Sequence, residues 1–249
     1  MTSHHQAGNI TSLARQGRLR ARPRTIVEAA PTGRQSLTGD GERIGILYVP
    51  PSYRPARPAP LAFMLHGAGG NARQGISLLA HLAEETGLIL AAVDSVGSTW
   101  DVILGEFGQD VARIDRALDQ VFAGYAVDPE RLAIGGFSDG ASFALSVGLT
   151  NGDLFTHIVA FSPGFAAPAE RYGMPGVYIS HGTHDRVLPI DRTSRRIVPA
   201  LRRDGYHVEY LEFDGPHTVP PAVTLAAVGW FIPMRAAGSA TCTRSSVDP

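Results

Sequence analysis

Apolar positions along the chain follow two alternating patterns. Short runs rich in apolar residues at Ile44–Val49, Leu61–Leu65, Leu88–Val93, Leu132–Gly136, Ile158–Phe161, Val177–Ser180 and Val208–Phe213 predict strands. Longer segments with helical spacing lie between them. Asn71 opens one that runs through Glu85. Gly108–Phe122 carries Val111, Ile114, Leu118 and Val121 on one face. Ala141–Leu149, Asp191–Arg203 and Pro220–Trp230 complete the set, the last opened by proline, which the first helical turn tolerates. Strands apolar on both faces, each followed by a helix, imply an α/β fold. Its central sheet is mainly parallel and is flanked by helices on both faces. Active sites in such sheets sit at the carboxyl ends of the strands.

The ends of the chain have a different texture. Up to Arg24 it is polar and arginine-rich, and the alternation in Arg18-Leu19-Arg20-Ala21-Arg22 predicts a short edge strand or solvated arm. A basic patch for an acidic partner is the alternative. Pro50 to Pro60 predicts a loop. The tail after Met234 is small and polar. The expected organisation is therefore an arm over 1–24, one domain over 25–234 and a disordered tail over 235–249.

Bulk properties narrow the function. Of 249 residues, 44% are hydrophobic and 18% charged, the mix of a soluble globular protein. A formal net charge of −1 gives no global attraction for nucleic acid or an anionic membrane. No apolar run approaches membrane-spanning length, and no apolar segment follows the polar Met1–Gly8, so the expected location is cytoplasmic. The single cysteine, Cys242, has no intramolecular partner. The chain contains no lysine. That excludes P-loop NTPase, protein kinase, pyridoxal Schiff-base and Ser-Lys chemistries, each of which needs one.

The chemistry gathers at the predicted strand ends. Gly136-Phe137-Ser138-Asp139-Gly140 fits the G-x-S-x-G nucleophile elbow, with a strand leading in and a helix leading out. A serine on so sharp a turn needs neighbours without side chains, here Gly136 and Gly140. Leu65-His66-Gly67-Ala68-Gly69-Gly70 closes an earlier strand, and its small residues allow backbone to approach an oxyanion. The expected oxyanion donors are the N–H groups of Ala68 and Asp139. Asp185, in His181-Gly182-Thr183-His184-Asp185, and His217, in Asp214-Gly215-Pro216-His217, follow later strands. Ser138, Asp185 and His217 are thus candidates for nucleophile, orienting acid and base, in α/β-hydrolase order. Two other assignments compete. Asp214 could replace Asp185, but it lies close in sequence to His217. His181 and His184 could hold a metal with Asp185, but their spacing does not suit one face of a strand. No metal and no cofactor is expected.

The residues His66-Gly67-Ala68-Gly69, Gly136-Phe137-Ser138-Asp139-Gly140, His181-Gly182-x-x-Asp185-x-Val187-x-Pro189 and His217 resemble the phospholipase/carboxylesterase group of α/β-hydrolases. That group includes acyl-protein thioesterases. Esterases akin to polyhydroxyalkanoate depolymerases are similar as well. The resemblance covers roughly Ile44 to Phe231 and implies an α/β-hydrolase fold acting on a small-molecule ester. Thioesterase-like members carry glutamine after the nucleophile and aspartate at the close of the His-Gly loop. Asp139 and Gly70 stand there instead, and the Asp139 carboxylate makes anionic head groups less welcome.

Ser162 to Pro175 is too short for a helical cap, so no large cap domain is expected and the site should be an open groove. Trp100, Phe165, Tyr172, Val187 and Leu188 are candidates to line it. The expected function is a serine carboxylesterase for short to medium acyl esters. The alternatives are a lysophospholipase or thioesterase, a serine peptidase, and a hydrolase-like binding protein without turnover. The sequence leaves the oligomeric state open.

Overall fold

The computed structural model describes residues 12–26, 28 and 30–232. One sheet of eight strands organises them: β1 (Gly33–Gly39), β2 (Glu42–Val49), β3 (Ala59–Leu65), β4 (Ile89–Val93), β5 (Val127–Phe137), β6 (His157–Phe161), β7 (Gly176–Gly182) and β8 (Val208–Phe213). Their order across the sheet is β1-β2-β4-β3-β5-β6-β7-β8. The β1–β2 and β2–β4 pairs are antiparallel, and every pairing from β4 to β8 is parallel. The parallel strands β3 and β4 are buried along their whole length, as their continuous apolar sequences require.

Helices cover both faces. On one face lie α3 (Gln109–Gly124), α4 (Asp139–Thr150) and α5 (Ser194–Arg203), which bury Val111, Ile114, Leu118, Phe143, Val147, Ile197 and Leu201. On the other lie α1 (Ala72–Ser77), α2 (Ala80–Thr86) and α6 (Pro221–Phe231), which bury Ile76, Leu82, Ala83, Val223, Ala227 and Phe231. The sequence pattern predicts one helical segment from Asn71 to Glu85, whereas the structure divides it at Leu78–Leu79. Asn71 opens α1 with a reciprocal cap, its side chain accepting from backbone and Gln74 reaching back.

Two further departures from the sequence reading have physical causes. The strand β1 was not expected, because Arg34-Gln35-Ser36-Leu37-Thr38 is mostly polar. It forms because Asp40 and Gly41, with φ of 52° and 84°, make a tight hairpin turn that lays it against β2. Arg18–Arg22, read as an edge strand or solvated arm, makes no strand pairing. Its backbone N–H groups go to side chains instead: Leu19 to Asn151, and Arg20 and Ala21 to Asp115. Leu19 and Ala21 are buried in the core beneath α3 and α4. Arg18 grips Asp153 with both guanidinium nitrogens, at 2.8 and 2.9 Å. The tail expected to be disordered, 235–249, lies outside the described residues.

No large cap interrupts the fold. Between β6 and β7, residues 162–175 contain no helix or strand. Among the described residues, no helix is long and apolar enough to cross a membrane.

Candidate active site

The turn from β5 into α4 holds Ser138 at φ 57° and ψ −121°, a conformation that costs a residue with a side chain of order 1–3 kcal/mol. It is held there from both sides. The Ser138 N–H donates to the Phe161 carbonyl at 2.9 Å, and the Ser138 carbonyl accepts the Ala141 and Ser142 N–H groups that begin the helix. Glycine clearance is complete: a Cβ on Gly136 would stand 2.6 Å from Gly140 backbone, and one on Gly140 would stand 2.4 Å from the His66 carbonyl oxygen. The serine is 8% exposed, so its hydroxyl is reachable but well supported.

Adjacent parallel strands bring the other two groups together. Gly182 of β7 pairs with Phe213 of β8, so the loops that leave these strands run side by side. A Cβ on Gly182 would lie 2.4 Å from the Gly215 and Pro216 carbonyl oxygens, and only glycine lets the loops approach so closely. Asp185 leaves the β7 loop with Oδ1 accepting the Val187 and Leu188 N–H groups at 2.9 and 2.8 Å. Its Oδ2 lies 2.5 Å from His217 Nδ1, and His217 Nε2 lies 2.9 Å from Ser138 Oγ. The carboxylate accepts the Nδ1–H, which leaves Nε2 bare to accept the serine proton. The Phe137 ring lies against the imidazole at 4.6 Å. Burial would raise the Asp185 carboxyl, but the Leu188 N–H, His217 and the Val187 N–H outweigh it and hold it below the usual carboxylate range. The rival Asp214 is 90% exposed in its side chain and pairs with His184 at 2.9 Å, away from His217. His184 is itself exposed while His181 is buried, so the two do not converge as a metal pair.

The loop after β3 flanks the serine. A Cβ on Gly67 would be 3.5 Å from Ser138 Cβ. The N–H groups of Gly69 and Gly70 are taken up by Ser98 and Gly67 carbonyls. Among the described residues, the Ala68 and Asp139 N–H groups have no such acceptor. Asp139 is the first residue of α4, where the helix offers none. His66 braces this loop: Nδ1–H donates to the Gly67 carbonyl and Nε2 accepts the Ser95 N–H. Burial pushes its pKa down, which favours the neutral ring that this pattern needs. Gly70 explains one departure from the thioesterase pattern, since a Cβ there would stand 2.6 Å from the Gln74 amide oxygen. The Asp139 carboxylate accepts the Thr99 hydroxyl at 2.6 Å, which ties the elbow to the loop after β4. Sequence reasoning missed Thr99, for no local motif marks it.

The expected groove residues divide. Val187 is 67% exposed and Leu188 half-buried, both on the loop that Asp185 anchors. Phe165 is partly buried and lines a neighbouring pocket of about 290 Å³ with Arg192, Arg196 and Ile197. Trp100 does not line the groove. It is fully buried, stacks on Phe143 and donates its indole N–H to the His66 carbonyl. Tyr172 does not reach the site either. Its N–H bonds the Leu149 carbonyl at the far end of α4, and its ring sits under Arg18.

A family model described as Phospholipase/Carboxylesterase matches residues 106–218, a span containing Ser138, Asp185 and His217. The chain is 29% identical over 154 residues to feruloyl esterase C of Emericella nidulans, covering 59% of this chain and 56% of that protein. It is 27% identical over 196 residues to the NocK protein of Nocardia uniformis subsp. tsuyamanensis, covering 73% of this chain and 57% of that protein. The chain thus spans a little over half the length of these curated relatives. Among solved structures, esterase PE8 superposes with a TM-score of 0.61 at 22% identity, covering 75% of this chain and 96% of that one. The sheet order, the elbow and the uncapped topology give the chain an α/β-hydrolase fold, and over residues 106–218 it is similar to the phospholipase/carboxylesterase family.

Proposed function

We propose that the protein is a serine carboxylesterase that hydrolyses short to medium acyl esters through an acyl-enzyme. The unbroken hydrogen-bonded line from Ser138 Oγ through His217 to Asp185 carries this reading. His217 Nε2 takes the hydroxyl proton as Ser138 Oγ attacks the ester carbonyl carbon. The carbonyl oxygen becomes an oxyanion that accepts from the Ala68 and Asp139 N–H groups. Collapse of this intermediate breaks the bond to the leaving oxygen, which receives the proton from His217. Water then gives a proton to His217, attacks the acyl carbon and releases the acid, and the proton returns to Ser138. Asp185 holds the imidazole in the required tautomer and balances the imidazolium charge. No step requires a cofactor or metal.

Residues 162–175 form no helix or strand that could roof the site, which favours an open groove with Val187 and Leu188 at its rim. The Asp139 carboxylate beside the elbow disfavours phospholipid head groups and acidic thioesters. Three intact triad groups in bonding contact disfavour a role without turnover.

The test is hydrolysis of p-nitrophenyl esters of increasing acyl length by wild type and Ser138→Ala. Loss of at least about 10⁴-fold in kcat is expected in the variant, with the best rates on short to medium chains. Folded wild type that is no faster than Ser138→Ala on every ester would refute the reading.

A further inference from the structure

The orienting carboxylate serves two histidines. Asp185 Oδ2 accepts from His217 Nδ1, and it also lies 3.1 Å from Nε2 of His181, the penultimate residue of β7, which has no place in the mechanism above. The same His181 Nε2 lies 2.8 Å from the Leu188 carbonyl oxygen. Both neighbours of Nε2 are acceptors, so Nε2 carries a proton. Its other nitrogen, Nδ1, lies 2.7 Å from Ser194 Oγ, at the start of α5. His181 and Ser194 are both fully buried. Burial also pushes the His181 pKa down, and a neutral ring protonated at Nε2 has a bare Nδ1. The Ser194 hydroxyl therefore donates to it.

We propose that His181, locked in its Nε2–H tautomer by Ser194, is a positioning residue for the triad: it fixes the Asp185 carboxylate and tempers that carboxylate's hold on the His217 proton. Asp185 accepts three N–H groups, from Val187, Leu188 and His217, and the His181 Nε2–H, which donates to the Leu188 carbonyl, stands 3.1 Å from Oδ2 as a further positive edge. Together these contacts fix the rotation of the carboxylate and set a partial positive charge beside Oδ2. The bond to Leu188 also joins the rim of the groove to the same ring. The other charged groups near this cluster are few. Glu212, opposite His181 in the β7–β8 register, is bound by Arg195 on α5 and by Tyr210. Asp214 is turned outward to His184. Asp185 is the one carboxylate among the described residues that lies against both rings.

The inference rests on the esterase reading, and its test is separable from that reading's. Wild type must first show ester hydrolysis that Ser138→Ala abolishes; failure there refutes the esterase reading itself. Given that activity, kcat and KM for p-nitrophenyl butyrate are measured across pH for His181→Phe, His181→Gln and Ser194→Ala. The phenylalanine keeps the ring volume but removes the donor. Its kcat is expected to fall about tenfold, with KM within about twofold. The acid limb of kcat/KM should move to higher pH, because a carboxylate without the His181 N–H beside Oδ2 holds the His217 proton more tightly. Glutamine, whose amide N–H can replace Nε2–H, should restore most of kcat and the wild-type limb. Ser194→Ala should shift the limb in the same direction by less. A folded His181→Phe with an unmoved acid limb overturns the proposal, as does equal impairment of the phenylalanine and glutamine variants. If His181→Phe does not fold, an unmoved limb in Ser194→Ala overturns it.

Discussion

Replacing Gly140 by alanine would put a methyl group where the structure has two carbonyl oxygens. The added Cβ would lie 2.4 Å from the His66 oxygen and 2.5 Å from the Leu65 oxygen. An ordinary carbon–oxygen contact is about 3.3 Å, so something must move by about 0.9 Å, and every atom in conflict is backbone. Neither side can yield cheaply. The end of β3 is held by its register with β5, Leu65 opposite Gly136, and by the indole bond of Trp100 to the His66 carbonyl. The first turn of α4 is held by the Ser138 N–H on Phe161. Overpacking of this kind costs about 1–3 kcal/mol, and in a domain of this size about 2–4 °C of Tm per kcal/mol. Catalysis should suffer more than stability. Whichever side moves, the serine shifts relative to the His66–Gly70 loop, and a misplacement near 1 Å costs about 100-fold in rate. The natural control is Gly229 in α6, where an added Cβ meets no atom within 4 Å. Gly229→Ala should stabilise by about 0.5–1 kcal/mol through helix propensity alone and leave kcat unchanged. Thermal unfolding and p-nitrophenyl butyrate hydrolysis are measured on both. A Gly140→Ala protein with kcat/KM within about twofold of wild type would refute the claim that this clearance builds the elbow.

Asp101 is pushed up to about 6, by burial first and by Asp110 second, so the folded state binds its proton more tightly than the unfolded chain. The penalty is absent below the unfolded value of 3.8 and grows as pH rises towards about 6. Asp101→Asn should therefore flatten the fall in Tm between about pH 4 and 7 and gain about 1–2 kcal/mol at neutral pH, after discount for solvent screening. Parallel Tm–pH profiles for the two proteins would sink this. Arg18→Ala removes the two-pronged contact with Asp153 and the stacking on Tyr172. It should cost about 1–2 kcal/mol in Tm measurements, with kcat unchanged because these contacts lie a helix length from Ser138. A large loss of kcat in a stable variant would contradict the assignment of Tyr172 to the arm rather than the groove.

Some of this molecule was legible in the sequence because the requirements are local. Strands buried on both faces must be apolar throughout, so β3 and β4 could be read without knowing their neighbours. The elbow could be read because a serine at positive φ needs glycines at fixed offsets along the same stretch of chain. Ser138, Asp185 and His217 each follow a strand, and their order in the chain matches the order of the strands that carry them.

Tertiary structure decided which of these groups meet. Asp185 and Asp214 were both available to His217, and the choice came from β7 and β8 lying side by side, which sets one carboxylate in the interior and the other in solvent. Trp100 had the composition of a groove residue, but the long loop after β4 folds it under His66. Polar β1 gained its place from a two-residue turn and a partner, and the arginine-rich arm gained its place from Asp115, Asn151 and Asp153, distant in sequence. His181 bonds to Ser194 across two elements, and a sequence read one segment at a time shows a histidine at a strand end and nothing more. Backbone demands are written within a few residues of where they act; side-chain partnerships depend on strand order and loop paths, which long-range packing selects.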